Sequence, residues 1–198
     1  MNRLVIASGN AGKVREFGHL LAGLGLEIQP QPEGLDVEET GATFAENARL
    51  KASAVARACR EWALADDSGL SVDALNGAPG VHSARYANSD SARITRLLQE
   101  LDDANRSATN VSRQAHFAAA LALADPSGTI HLEVEGRCPG VILNAPRGTG
   151  GFGYDPVFLV PEAGLTFAEM PATLKAKLGH RGRAFAKLAP ALEQLLGR

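Results

Sequence analysis

Ser8-Gly9-Asn10-Ala11-Gly12-Lys13 stands between an apolar run, Leu4 to Ala7, and an amphipathic stretch. The run reads as a buried strand and the stretch as a helix. A strand that opens through Gly, Asn and Gly into a helix leaves backbone N–H groups converging on one spot. With a lysine beside them, that spot attracts phosphate. The Walker pattern is not met, because it needs Gly at position 7 and Ser or Thr at 14, where this chain has Ala7 and Val14. The residues alone therefore leave two readings open: a phosphate-binding corner of unusual type, and an ordinary strand–turn–helix corner.

The next group is acidic. Asp66-Asp67-Ser68-Gly69 reads as a turn at the end of a short strand, Ala63 to Ala65, where α/β proteins place ligands. Glu39 lies in the loop before the second helix. Hard oxygens from separate loops suit Mg²⁺, which keeps several waters and takes its remaining ligands from substrate phosphate. A carboxylate left partly free by the metal can take a proton from water. The plain alternative is a capped turn with solvated acids. Asn47 and Lys51 share a helix face, and Lys51 borders the stripe Phe44, Ala48, Ala52 and Val55. Such a lysine either snorkels to solvent or meets a buried anion, and Lys13 has the same two options.

Two further clusters follow. Gly148-Thr149-Gly150-Gly151-Phe152-Gly153 satisfies a dinucleotide pattern in form, but Tyr154, Asp155 and Pro156 lead on into a strand instead of a helix. The loop is better suited to carrying Phe152, either to stack on a nucleobase or to tuck inward. Lys175, His180, Arg181 and Arg183 form a basic group beside Gly179 and Gly182. Positive charge at the start of a helix opposes the helix dipole, which favours a ligand role. Arginine there suits a phosphate or a carbonyl-bearing base.

The elements that position these groups follow from pattern. A strand at about 3–7 and a helix at about 12–24 come first, the helix ended by Gly23 and Gly25; a loop with Pro30, Pro32 and Gly34 comes next. A helix from Thr43 to about Trp62 starts with the capping box Thr43/Glu46. An extended piece with Leu70, Val72 and Leu75 precedes a Gly/Pro-rich loop, Asn76 to Val81. A helix at 89–102, capped by Ser89 or Asp90, comes next. Residues 113–124 and 129–135 alternate around the turn Asp125-Pro126-Ser127-Gly128 and predict a hairpin, although the alanines also allow a helix at 114–124. A strand at Val157–Val160 and a helix from about Gly182 to Leu196 end the chain. The expectation is one α/β domain over residues 1–198 on a mixed sheet.

Composition bounds the function. With 198 residues, 45% hydrophobic, the chain can build one substantial core. A net charge of −2 and the lack of a basic stripe argue against nucleic acid as a partner. Cys59 and Cys138 lack metal-like spacing and suit a reducing compartment. No run reads as a membrane span or signal segment, so a soluble cytoplasmic protein is expected. His19, His82, His116 and His131 have no partners in the sequence.

Taken together, these motifs resemble a known family, the inosine-triphosphate pyrophosphatases, which cleave ITP, dITP and XTP to the monophosphate and pyrophosphate. The resemblance runs through Ser8–Lys13, Glu39–Ala52, Ala65–Leu75, Gly77–Tyr86, Gly151–Phe158 and Thr166–Ala184, in the family's order. It implies that the segment Ser8, Gly9, Asn10, Ala11, Gly12 and Lys13, helped by Lys51, holds the triphosphate. Glu39 and Asp67 would bind Mg²⁺, Asp67 would also be the base for the attacking water, and Ser68 would touch the substrate. Phe152, with Gly153 and Tyr154 beside it, would stack on the base, and Asp155, Lys175, His180 and Arg181 would surround it. The implied fold is a long mixed α/β sheet with two lobes around a central cleft, as a homodimer. Two departures stand out: Ala176 and Gly179 replace the family's usual Asn and Ser, and Asn88 replaces a Gly. The rival functions are a pyrophosphatase for modified pyrimidine or methylated nucleotides, as in the Maf-type proteins, and a non-catalytic nucleotide-binding module. The set Glu39, Asp66, Asp67 and Lys51 argues against the latter, since a pure binder needs no water-activating carboxylate.

Overall fold

The computed structural model describes residues 2–107 and 112–197. Leu4, Val5 and Ile6, all buried, form β1 (Arg3–Ile6), which leads into α1 (Ala11–Leu20). β2 (Glu27–Pro30) returns parallel to β1, with Arg3 opposite Glu27 and Ile6 opposite Pro30. The sequence reading has a loop here. A proline is tolerated because β2 is the end strand of the sheet, where one missing N–H breaks no ladder on the far side. α2 (Phe44–Cys59) starts at the expected capping box: Thr43 Oγ1 accepts from the Glu46 N–H, and Glu46 reaches back to the Thr43 N–H. It stops at Arg60, whose left-handed backbone (φ 54°) ends the helix earlier than predicted.

β3 (Trp62–Val72) corrects the sequence reading most. Asp66 and Asp67 are not in a turn; they lie in the middle of an eleven-residue strand and are buried. Two short 3₁₀ turns, Asp73–Leu75 and Gly80–Arg85, follow in place of the expected open loop. α3 (Asp90–Ser107) runs longer than predicted. β4 (Gln114–Ala124) and β5 (Ile130–Ile142) form the expected hairpin, closed by the Asp125 N–H donating to the Thr129 carbonyl at 3.0 Å. The helix alternative at 114–124 fails because both faces of β4 are covered. Ala119, Leu121 and Leu123 share a core with Phe17, Leu188 and Leu192, while Ala120, Ala122 and Ala124 share another with Ala48, Ala52 and Ala56. Small residues on that second face let α2 lie close. β6 (Phe158–Val160) and β7 (Leu165–Thr166) continue the sheet in antiparallel fashion. α4 (Ala172–Leu178), absent from the prediction, precedes α5 (His180–Leu195), which starts two residues before the predicted helix.

The result is one seven-stranded mixed sheet in the order β2-β1-β3-β4-β5-β6-β7, in agreement with the expected α/β class. By its internal packing the chain forms two units. The first comprises the chain up to Asp67, Ala119–Gly136 and the chain from His180; the second comprises Ser68–Ala118 and Arg137–Gly179. The second unit's core includes Leu97, Leu101, Phe117, Phe158 and Phe167, with the rings of Phe117 and Phe158 edge to face at 4.8 Å. Among the described residues, no helix is long and apolar enough to cross a membrane.

Candidate active site

In the first unit, three basic side chains and four carboxylates form one network. α2 delivers Lys51, whose Nζ lies 2.7 Å from Glu39 Oε1, 2.8 Å from Asp67 Oδ1 and 2.9 Å from the Asp66 carbonyl. Lys51 therefore meets a buried anion instead of snorkelling. α1 delivers Lys13, 2.8 Å from Asp66 Oδ2, and Glu16, 2.8 Å from Arg181 of α5. Arg181 also donates to Asp66 Oδ2 at 3.2 Å. Alternation along β3 sends Asp66 and Asp67 to opposite faces, so the Asp66 carboxylate pairs with Lys13 and Arg181 and the Asp67 carboxylate with Lys51.

The electrostatics follow from burial. Desolvation alone would raise Asp66, but Arg181, Lys13 and Lys51 overcome it and hold its carboxyl far below the ordinary range. Burial lowers the pKa of Lys13; Asp66 opposes this, while the cations Arg181 and Lys51 add to it. Burial would also lower Lys51, yet Asp67 and Glu39 reverse the shift and raise it. Asp67 is raised by burial and by the like charge of Glu39, against the pull of Lys51. One ammonium shared between two acids does not neutralise both, so Asp67 keeps a raised affinity for a proton.

Asn47, which the motif reading noted only as a neighbour of Lys51, is fully buried and uses both ends of its amide. Its Nδ2 donates to Asp67 Oδ2 at 3.2 Å, and its Oδ1 accepts from the Gly41 N–H at 2.8 Å. It thus ties Asp67 to the loop that carries Glu39. A Cβ on Gly41 would sit 2.7 Å from that Oδ1, so the contact needs glycine. The four-residue spacing from Lys51 was the available signal. Glu16 was also missed, and its spacing of three from Lys13 on α1 was the corresponding hint.

At the Ser8–Lys13 corner, for which the residues leave two readings open, the loop's own side chains take up backbone N–H groups. Asn10 is the cap of α1, and its Oδ1 accepts from Gly12 N–H at 2.8 Å and Lys13 N–H at 3.1 Å. Ser8 Oγ accepts from the Asn10 N–H at 3.1 Å. Three backbone donors of the corner are thus satisfied by the loop's own side chains. Gly9 and Ala11 are exposed in the same corner.

The second unit holds the remaining candidates except His180. Ser68 is half-buried on β3. Lys175 of α4 pairs with Asp155 Oδ2 at 2.6 Å, and its Nζ lies 5.2 Å from the centre of the Phe152 ring. The same Asp155 oxygen accepts from the Phe152 N–H at 3.0 Å. A Cβ on Gly151 would fall 1.9 Å from that oxygen, and the residue has φ 74°, so only glycine fits there. Tyr154 differs from the expectation of a base contact: its side chain is buried and its hydroxyl donates to the Ser83 carbonyl at 2.9 Å. Gly179, one of the departures from the family pattern, has a packing reason. A Cβ there would lie 2.6 Å from the Lys175 carbonyl, a backbone atom. His180 is buried at the start of α5 in the first unit, and Arg181, expected around the base, is bound there into the carboxylate network.

A divalent metal fits one part of this arrangement. Among the described residues, no group of three or more His, Cys, Asp or Glu side chains is placed to hold an ion. Glu39 and Asp67, however, converge on one ammonium at 2.7 and 2.8 Å, and two hard carboxylates of that kind suit Mg²⁺ shared with phosphate oxygens.

Fold and site define an α/β protein with a charge-dense, largely buried polar centre. A family model described as the Ham1 family matches residues 4–191. A dITP/XTP pyrophosphatase of Synechococcus sp. (strain CC9311) is 63% identical over 193 residues, covering 98% of this chain and 91% of the relative. One of Nostoc sp. (strain PCC 7120 / SAG 25.82 / UTEX 2576) is 55% identical, covering 98% and 95%. Among solved structures, a HAM1 protein from Coxiella burnetii matches with TM-score 0.86 and 41% identity, covering 98% of this chain and all of that one. The chain belongs to the Ham1 family.

Proposed function

We propose that this protein is a nucleoside-triphosphate pyrophosphatase that hydrolyses dITP, XTP and ITP to the monophosphate and pyrophosphate, with Mg²⁺, and so clears these nucleotides before they enter DNA or RNA. The observation that carries the reading is Lys51 joined to both Glu39 and Asp67, next to the Lys13–Asp66 pair. The dITP/XTP pyrophosphatase activity for which the relatives at 55–63% identity are named supports the substrate class.

Lys13 and Lys51 bind triphosphate oxygens and neutralise them. Glu39 and Asp67 would hold Mg²⁺, which supplies charge neutralisation and an ordered water when bound. Asp67, raised toward protonation by burial and Glu39, takes a proton from the attacking water. The water oxygen bonds to the α-phosphorus, the bond from that phosphorus to the bridging oxygen breaks, and pyrophosphate leaves. Fixed cations stabilise the charge that grows on the oxygens. Asn47 keeps Asp67 oriented. Arg181, tied to Asp66 and Glu16, acts as a brace for α1 and β3.

Phe152 stacks on the purine, and Lys175 donates to a 6-oxo group. Adenine carries an amino group there and would leave the donor unpaired, which is how buried polar groups reject near-isosteres. The same reading has the enzyme act as a cytoplasmic homodimer, supported by family kinship. Pyrophosphate release from XTP, dITP, ITP, GTP and ATP, each with Mg²⁺ and with EDTA, tests all of this. Fast, EDTA-sensitive release from the first three is expected; no release from any of them, with binding intact, would leave a nucleotide-binding module.

A further inference from the structure

Asp90 opens α3, yet it is not the helix cap. Ser89 fills that role, its Oγ accepting from the Ala92 N–H at 3.2 Å and its carbonyl from the Arg93 N–H at 2.9 Å. The Asp90 carboxylate is instead split between two other partners. Oδ1 accepts from Arg93 at 2.6 Å, and Oδ2 accepts from the Gly153 N–H at 2.7 Å. Arg93 is itself pinned by the carbonyls of Ala84 and Ala87. On the neighbouring peptide, the Phe152 N–H goes to Asp155 Oδ2 at 3.0 Å. Two carboxylates therefore clasp consecutive N–H groups, one on each side of the Phe152 α-carbon. The loop around them has no regular structure, and its turns rest on Gly148, Gly151 and Gly153 at φ 87°, 74° and 62°. A glycine loop of this kind holds one shape only if something outside it does the holding.

We propose that Asp90 is a positioning residue for substrate recognition: it anchors the loop Gly148–Gly153 from α3, so that Phe152 is presented to the purine in one orientation. The role in recognition rests on the pyrophosphatase reading above; the anchoring does not. The chemistry calls for a carboxylate. An Asn at 90 has one acceptor oxygen, so its NH₂ must face either Gly153 N–H or Arg93, donor against donor. A Glu keeps both acceptors on a longer arm.

The test compares wild type, Asp90→Asn and Asp90→Glu in the full chain, by amide hydrogen exchange and by steady-state kinetics with XTP. Losing a charge-assisted bond should speed exchange of the Gly153 amide roughly 10-fold in Asp90→Asn. Loosened stacking should raise KM for XTP roughly 5- to 50-fold with kcat little changed, the signature of binding shared by ground and transition states. Asp90→Glu should recover most of both. A role confined to the dipole of α3 would lower thermal stability and leave loop exchange and KM alone, which overturns the proposal. So does faster loop exchange with unchanged KM in an otherwise active enzyme. Wild type that releases pyrophosphate from none of the triphosphates overturns the pyrophosphatase reading instead, while the exchange data still decide whether Asp90 holds the loop.

Discussion

Lys51 in the first unit and Lys175 in the second are both lysines on helices paired with buried acids, but they are built into different surroundings. Lys51 bonds Glu39, Asp67 and the Asp66 carbonyl, and its neighbours Lys13 and Arg181 add further charge to the same centre. Lys175 pairs with Asp155 and lies 5.2 Å from the rings of Phe152 and Phe167. The first setting suits a polyanion, because several fixed charges act on it together. The second suits a flat, neutral ring with one polar edge. Rate should therefore depend on the first centre and substrate choice on the second.

The largest effect is expected at Asp67. Asp67→Asn keeps the shape but removes the proton acceptor, and kcat should fall roughly 10²- to 10⁴-fold while far-UV circular dichroism stays unchanged. Turnover near wild type in this variant would remove Asp67 from the base role. Lys51→Ala comes next and should damage both activity and folding. It leaves Glu39 and Asp67 facing each other across a largely buried site, and breaking such a pair costs about 3–5 kcal/mol. Chemical denaturation would read this directly, and an unchanged midpoint would mean that solvent already screens the pair. Lys175→Ala should be milder in rate and more visible in choice. The ratio of kcat/KM for XTP over ATP should drop roughly 10- to 100-fold, with turnover of XTP itself less affected. Equal losses for both nucleotides would show that Lys175 serves stability or phosphate binding, and the contrast between the two lysines would collapse.

Short-range features were the ones legible from sequence. The capping box at Thr43, the Asp125–Gly128 turn and the strand–loop–helix corner at Ser8 each need only a few adjacent residues. β3 was not legible for a physical reason. Two consecutive aspartates oppose a strand assignment on propensity, and what permits them is supplied from elsewhere in the chain. Lys51 lies 15 residues from Asp66, Lys13 lies 53 away and Arg181 lies 115 away. The same distance effect hid the commitment of Arg181 to Asp66 and Glu16. The basic cluster at 175–183 was visible, but its division between two units was not, because the boundary falls between Gly179 and His180 without any break in composition. β2 was missed because four residues ending in proline carry too little pattern to outweigh the loop signal.

The smallest expected effect concerns the apolar side of the second unit, where the chain's two tyrosines lie. Tyr86 is pushed up to about 12, by burial first and then by Glu100, which accepts from its hydroxyl. Arg96, 4.0 Å above the ring, opposes the shift. Tyr154 is raised as well, chiefly by burial. A folded-state pKa above the unfolded value of about 10 means that the contribution to stability is complete below about pH 10 and is lost as pH rises toward about 12. Absorbance at 295 nm should then show little tyrosinate in the folded protein at pH 10.5, while in denaturant both rings ionise near 10. Glu100→Gln removes the charge that holds the Tyr86 proton and should move one of the two folded-state midpoints down, leaving the Tyr154 midpoint in place. If both rings ionise near 10 in protein whose circular dichroism is unchanged, water reaches them freely. The unit that carries Phe152 would then lack the rigid support that its part in substrate choice requires.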